Sequence, residues 1–201
     1  MKTDKLIALV FILFTLASCQ SPESKAPETA GDTASGTVRL NRENPRYLEY
    51  HGEPVILITS AEHYGAVVNL DFDYNTYLET LGSEGFNYTR IFAGTYIEPV
   101  ENIFGIERNT LAPLPGRYLA PWVMENGKYD LDKFNPDFFA RLTDFISVAG
   151  KHGIVVEVTL FTSIYVEDQW ELCPFNSINN MNGVGDMEFQ RVNTLYNGGL
   201  Q

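Results

Sequence analysis

Three apolar, strand-like runs separated by two amphipathic helical patterns constrain the fold of this chain more than any other feature. The runs span residues 55–59, 88–92 and 154–161, and the first completes a predicted β-hairpin at 47–58. Short apolar runs rich in β-branched residues are typical of strands that are buried on both faces of a parallel sheet. Because strands that alternate with helices favour parallel pairing through right-handed crossovers, the pattern predicts an α/β fold.

Each predicted helix has a polar N-cap and one apolar face. Asp71 is the predicted N-cap of the first helix, which ends near Gly82. Asn135, with Pro136 at the first helical position, begins the second helix, which ends at Gly150. The apolar faces consist of Tyr74, Tyr77, Leu78 and Leu81 in the first helix and of Phe138, Leu142, Phe145, Ile146 and Ala149 in the second.

The connections that follow the strands are long, whereas those that lead into them are short. Residues 60–70, 93–134 and 162 onward follow strands, while only 82–86 and 150–153 connect a helix to a strand. In a (β/α)8 TIM barrel, the loops after the strands lie on one face and form the active site. The asymmetry therefore favours a TIM barrel, of which about the first three strands and two helices are present. A doubly wound sheet is the alternative, but the first strand-to-helix connection lacks a GxGxxG phosphate fingerprint.

The N-terminus carries the pattern of an export signal. Lys2 and Lys5 precede an apolar run at 6–16, which is too short to cross a bilayer and has the length of a signal peptide. The run ends in Leu16-Ala17-Ser18-Cys19, which resembles the lipobox of bacterial lipoproteins. That resemblance implies cleavage before Cys19 and lipidation of its thiol. An ordinary signal peptide with an incidental cysteine is the alternative.

This interpretation divides the chain into three parts. Residues 1–18 are the lipoprotein signal peptide, 19–36 are a disordered tether rich in Ser, Pro, Glu, Ala and Thr, and 37–201 are the globular part. Acyl chains anchor a protein to a membrane without spanning it. We therefore expect a protein of the cell envelope, lipid-anchored to a bacterial membrane on its periplasmic or cell-surface side.

The charge balance excludes one class of partner. The formal net charge of −12 becomes −13 without residues 1–18, because Lys2, Lys5 and Asp4 sum to +1. Nucleic acid is excluded, since phosphate binding relies on clustered Lys and Arg that this chain lacks. An acidic surface suits a neutral substrate.

Cysteine and histidine usage predicts neither a disulfide framework nor a metal. If Cys19 is lipidated, Cys173 is left without a disulfide partner. His51, His63 and His152 have no metal-binding spacing, and no cofactor motif occurs in the sequence.

The segment 85–92, Gly-Phe-Asn-Tyr-Thr-Arg-Ile-Phe, carries the most specific pattern in the chain. It resembles the second barrel strand of family 5-like glycoside hydrolases, retaining enzymes with a GxNxxRI pattern at that place. The resemblance covers about residues 37–201 and implies that Arg90 hydrogen-bonds the catalytic nucleophile. Independently, a guanidinium on a barrel strand needs a carboxylate partner, which it holds ionised at neutral pH. A structural ion pair, for example with Glu157, is the alternative.

Candidate sugar-binding residues lie in the long loops. Glu62 and His63 follow the first predicted strand and would lie at the active-site mouth, where either could bind a sugar hydroxyl. The alternatives are a salt bridge between Glu62 and Arg90 and a packing role for His63. Among the loop aromatics Tyr96, Trp122 and Trp170 are candidates, because flat rings match the apolar faces of pyranose sugars. Packing within the loop is the alternative for each ring.

The two carboxylates of a retaining glycosidase are not recognisable in this sequence. The resemblance implies an acid/base in an Asn-Glu-Pro motif after the fourth strand and a nucleophile on the seventh, and no Asn-Glu-Pro occurs here. Many of the similar enzymes end the third strand with a histidine, whereas this chain has Leu160-Phe161-Thr162. The sequence therefore does not predict which sugar is the substrate.

The expected function is that of a cell-envelope glycoside hydrolase-like lipoprotein acting on a polysaccharide or oligosaccharide. The 201 residues alone are expected to hydrolyse no glycoside, with Arg90 as a supporting residue only. A non-catalytic glycan-binding lipoprotein and a structural or adhesion lipoprotein are the alternatives.

Overall fold

The computed structural model describes residues 37–59, 62–100, 105–107 and 109–192. The predicted signal peptide, Cys19 and the tether lie outside the described residues. The described part is a mixed α/β structure with three small sheets. In chain order its elements are β1 Arg39–Leu40, β2 Leu48–Tyr50, β3 Glu53–Val55, α1 Tyr74–Ser83, β4 Tyr88–Phe92, β5 Trp122–Glu125, β6 Lys128–Phe134, α2 Pro136–Lys151, β7 Val155–Thr159 and α3 Glu167–Leu172.

Strands β4 and β7 form a parallel pair, as predicted for the second and third strands. Tyr88 lies opposite Val155, Arg90 opposite Glu157 and Phe92 opposite Thr159. β4 has the predicted bounds, whereas β7 ends at Thr159, before Phe161. The turn before each strand contains a glycine with positive φ, 83° at Gly85 and 71° at Gly153, a conformation that most side chains disfavour.

The prediction of a first parallel strand at 55–59 is wrong. β3 is instead the last strand of an antiparallel sheet in the order β1-β2-β3, and it ends at Val55. The following residues are irregular, and the side chains of Ile56 and Ile58 are exposed.

The side chain of Asn87 explains the irregular segment. Its Oδ1 accepts from Ile58 N at 2.7 Å, and its Nδ2 donates to Ile56 O at 3.0 Å. The backbone N of Asn87 also donates to Ile58 O at 3.1 Å. An amide side chain thus satisfies backbone groups that a strand ladder would otherwise pair, and it joins this segment to the start of β4.

The two main helices begin with side-chain caps. Asp73, not the predicted Asp71, caps α1, because its carboxylate accepts from the backbone N of Asn75 and of Thr76. Asp71 lies outside the helix and pairs with Arg117 at 2.8 Å. The prediction for α2 is confirmed, since Asn135 caps the helix and Pro136 occupies its first turn.

The main hydrophobic core lies between the helices and one face of the β4–β7 pair. Ile91 is fully buried against residues of both helices, including Leu78 and Phe145. Tyr77 Oη lies 2.7 Å from Thr89 Oγ1 on the same face. Burial of each such aliphatic side chain contributes roughly 1.5–3 kcal/mol.

The long connection between β4 and α2 contains a hairpin that the sequence analysis missed. Strands β5 and β6 pair antiparallel around Asn126 and Gly127, whose φ angles are 52° and 79°. Asn-Gly between two strand-like runs is the most characteristic sequence of a tight hairpin turn, so the signal was present.

A second, smaller core lies beyond β7. It contains Ile164, Trp170, Cys173 and Val192. Among the described residues, no helix has the length and hydrophobicity needed to span a membrane.

Candidate functional site

The face of the β4–β7 pair that points away from the helices carries polar side chains. Successive residues of a strand point to opposite sides, and Thr89 and Ile91 are buried on the helix side. Tyr88, Arg90 and Phe92 therefore lie on the other side, which we call the open face. The register places Glu157 beside Arg90 on this same face.

Arg90 contacts two carboxylates on the open face. Its Nε lies 2.8 Å from Glu157 Oε1, and its Nη2 donates to Glu157 Oε2 at 3.4 Å. Its Nη1 lies 3.6 Å from Glu62 Oε2. The structure thus contains both ion pairs that the sequence analysis gave as alternatives to a functional role, Arg90 with Glu157 and Arg90 with Glu62.

Tyr88 is a third partner of this cluster that the sequence analysis did not identify. Its hydroxyl donates to Glu157 Oε2 at 2.5 Å. This hydrogen bond, followed by the contact with Arg90, lowers the pKa of Glu157 below its usual value. Burial, followed by the hydrogen bond to Glu157, raises the pKa of Tyr88 to about 12. Glu157 is therefore ionised at neutral pH and suited to accept hydrogen bonds.

Aromatic rings extend the open face beyond Phe92. The ring of Tyr64 stacks on Phe92 with centroids 4.2 Å apart and an angle of 1° between the planes. Tyr96 packs edge-on against Phe92 at 5.1 Å and against Tyr165 at 6.2 Å. The ring of Tyr165 is exposed, whereas Tyr96 is buried.

His63 packs against α1 rather than joining Arg90. Its ring stacks on Phe72 at 3.6 Å, and its Nε2 lies 2.7 Å from Thr110 Oγ1. Burial lowers the pKa of His63 to about 4, so its ring is neutral at physiological pH. These contacts agree with the packing alternative for His63, and its sugar-binding role stays a prediction.

The predicted sugar-stacking aromatics occupy three environments. Trp170 belongs to the second core, and its Nε1 donates to Met187 O at 3.3 Å. Tyr96 is buried and donates through its hydroxyl to Glu98 at 2.7 Å. Trp122 is half-buried, with its ring 5.0 Å from Phe175. Because stacking on a sugar requires an open ring face, the positions of Tyr96 and Trp170 fit the packing alternative.

Glu98 is a buried carboxylate that the sequence analysis missed. Only 4% of its surface is exposed, and its oxygens accept hydrogen bonds from Tyr96 Oη and Asn109 Nδ2. An acidic residue in a long polar loop gives no sequence signal for such burial, because its partners belong to the folded loop. Within the described residues, no group of His, Cys, Asp and Glu side chains could hold a metal ion.

Comparisons with known proteins give only distant similarity. No protein-family model and no curated protein sequence matches the chain. A candidate glycoside hydrolase from Bacteroides vulgatus ATCC 8482 is similar in structure, with 21% identity over 66% of this chain and 25% of that one, at a TM-score of 0.46.

A glycoside hydrolase family 5 mannosidase from Rhizomucor miehei is similar over 82% of this chain and 39% of that one. The identity is 16% and the TM-score 0.44. The chain thus spans less than half the length of either structure.

Proposed function

We propose that this protein acts on a glycan in the manner of a retaining glycoside hydrolase, with the open face as the floor of its sugar-binding cleft. The observation that supports the proposal is the position of Arg90, on a parallel strand pair and between the carboxylates of Glu62 and Glu157. The sequence around Arg90 is the one that resembles the glycosidase strand.

The proposed architecture is a (β/α)8 barrel in which β4 and β7 are two of the inner strands. The helices cover one face of the pair, which leaves the open face for the inside of the barrel. A retaining glycosidase needs two carboxylates about 5–5.5 Å apart, one as acid/base and one as nucleophile. Arg90 would hold the nucleophile ionised, while Glu157 and Tyr88 keep the guanidinium oriented.

Sugar contacts are proposed for the residues that border the open face. Glu62 can accept hydrogen bonds from sugar hydroxyls, and the exposed ring of Tyr165 offers an apolar surface. The half-buried Trp122 remains a candidate. The glycan is expected to be uncharged or cationic, since the carboxylates around Arg90 outnumber it.

A non-catalytic glycan-binding role is the second candidate. The observation that favours it is that Glu157, the carboxylate nearest Arg90, is bound by both Arg90 and Tyr88, so it can accept hydrogen bonds from a sugar without taking part in cleavage. In this case the open face would bind sugars without cleaving them.

A panel of β-linked oligosaccharides distinguishes these possibilities. The longest chain that the gene encodes is incubated with each sugar, and NMR records the anomeric configuration of the first product. Cleavage with retention supports the glycosidase proposal, whereas inversion contradicts its mechanism. Binding without cleavage supports the second candidate. If no glycan is bound or cleaved, both candidates are contradicted.

We further propose that the protein is an envelope lipoprotein anchored through Cys19. The charged start, the apolar run and the lipobox-like sequence before Cys19 support this. Cys19→Ala should move the protein from the membrane fraction of the native bacterium to the soluble fraction. Cys173→Ala is the matched control and should leave fractionation unchanged. Equal membrane recovery of Cys19→Ala and the unaltered protein would contradict the proposal.

A further inference from the structure

A groove separate from the Arg90 cluster lies among the loops that follow β4 and β7. Its volume is about 810 Å³, within the range of small-ligand sites, and it is bordered by residues 97–100, residues 113–116, Tyr118, Tyr129 and helix α3. Pro99, Pro113, Leu114 and Leu172 give it apolar walls, and Tyr118 contributes an aromatic ring.

The charged side chains of the groove all have the same sign. Glu98, Asp168 and Glu171 line it, and no Lys, Arg or His occurs among its described lining residues. Asp168 and Glu171 are three residues apart and therefore lie on the same side of α3. Glu98 is buried between two neutral donors, Tyr96 and Asn109. A positively charged ligand would complement this surface, whereas an anionic one would be repelled.

Among the described residues, no three His, Cys, Asp or Glu side chains are close enough together to hold a metal ion, so an organic cation is the ligand that suits these carboxylates. A second groove of about 430 Å³ shares Val100 and Leu114 with the first and is lined by Glu107 and by Asp71, whose carboxylate pairs with Arg117. The two grooves together form an elongated surface, which suits a chain-like ligand.

The groove is connected to the open face through one buried residue. Tyr96 donates to Glu98 and packs against Phe92, two residues beyond Arg90 on β4. We propose that the groove binds an amino-bearing oligosaccharide, with its ammonium groups on the exposed carboxylates of Asp168 and Glu171 and its apolar sugar faces on Tyr118, the prolines and the leucines. This inference rests on the proposed function, because it names the substrate class of the same protein.

The test is calorimetric titration of the 201-residue chain with four hexamers at mildly acid pH, at which sugar amines are protonated. The probes are β-1,4-linked glucosamine, its fully N-acetylated form, the glucose hexamer and hexalysine. The glucosamine hexamer should bind at least about tenfold more tightly than the two neutral sugars and should weaken with added salt, as charge-assisted contacts do. It should also bind more tightly than hexalysine.

Variants locate the binding. Asp168→Asn combined with Glu171→Gln changes two exposed residues and should weaken glucosamine binding about tenfold or more. Glu167→Gln is the matched control, since Glu167 is exposed on the same helix but does not line this groove. It should leave the affinity within about twofold, the spread that ordinary surface changes produce.

Three results would overturn the inference. The first is equal affinity for the glucosamine hexamer and the neutral hexamers. The second is hexalysine binding as tightly as glucosamine, which would make the groove a docking surface for basic peptides. The third is an unchanged affinity of the Asp168→Asn, Glu171→Gln variant. Each can occur while Arg90 still governs glycan turnover, so failure of the groove and failure of the proposed function are distinguishable.

Discussion

Two neighbouring residues of β4 show how the two sides of this structure differ. Ile91 is fully buried against the helices, while the adjacent Arg90 is 37% exposed on the open face with Glu62 and Glu157. The loop before α1 repeats the contrast, because Glu62 contacts Arg90 whereas the next residue, His63, stacks on Phe72. The packed side buries apolar side chains, whereas the open side brings together charged side chains that are partly exposed to solvent.

Loss of packing on the helix side should give the largest change in stability. Ile91→Ala removes a fully buried side chain from the main core and should lower the free energy of unfolding by about 2–5 kcal/mol. Urea denaturation followed by circular dichroism measures it. Leu160→Ala, at an exposed position, is the control and should change stability by less than about 0.5 kcal/mol. A loss below about 1 kcal/mol for Ile91→Ala would break the distinction between the sides.

Protonation of His63 should give the next largest effect. The folded protein takes up this proton only near pH 4, whereas the unfolded chain does so near the ordinary pKa of 6.5. The unfolded state therefore binds more protons between these values, so stability is full above pH 6.5 and falls as the pH is lowered towards 4. The loss amounts to at most about 3 kcal/mol.

His63→Phe keeps an aromatic ring on Phe72 and should remove most of this pH dependence. The measurement is a series of urea denaturations between pH 7 and pH 4. His152→Gln, at an exposed position after α2, should retain the slope of the unaltered protein. An equal slope in the His63→Phe variant would show that His63 is not buried on the packed side.

Neutralisation of Glu157 should give the smallest effect on stability. Its pKa is lowered in the folded state by Tyr88 and Arg90, so its contribution is present above the unfolded pKa of about 4.5 and is lost as the pH falls below it. Because the side chain is nearly half exposed, solvent screening limits the contribution to less than about 1 kcal/mol. Glu157→Gln and the unaltered protein should therefore have the same stability at acid pH. A loss at neutral pH well above about 1 kcal/mol would show that Glu157 contributes to stability as much as the residues of the packed side do.

Local sequence signals predicted the elements that depend on few distant contacts. The bounds of β4 and the cap of α2 at Asn135 were predicted correctly, because alternation and the Asn-Pro pair act within a few residues. The apolar run at 55–59 was misassigned because composition does not distinguish a buried strand from a segment whose backbone bonds an amide 29 residues away. The hairpin at β5 and β6 was missed despite its Asn126-Gly127 signal.

The candidate site was predictable only where it follows from strand adjacency. An ion pair of Arg90 with Glu157 was the alternative that the sequence offered, because Glu157 lies on the next predicted strand, and the structure places the two residues opposite each other. Tyr88 was not identified as a member of the cluster, since tyrosine is common in strands for packing alone. The burial of Trp170 and Glu98 depends on loop residues that meet only in the folded chain, Met187 for the former and Asn109 for the latter.

The central claim is that Arg90 belongs to the function of the protein and contributes little to its stability. The most direct measurement is turnover and unfolding free energy of Arg90→Ala, made in the longest chain that the gene encodes and on the glycan that this chain cleaves best. Turnover should fall at least about a hundredfold, as when a charge-stabilising donor is removed from an active site. Stability should change by less than about 1 kcal/mol, as for an exposed ion pair. Unchanged turnover, or a loss of activity that stability alone accounts for, would contradict the role proposed for Arg90.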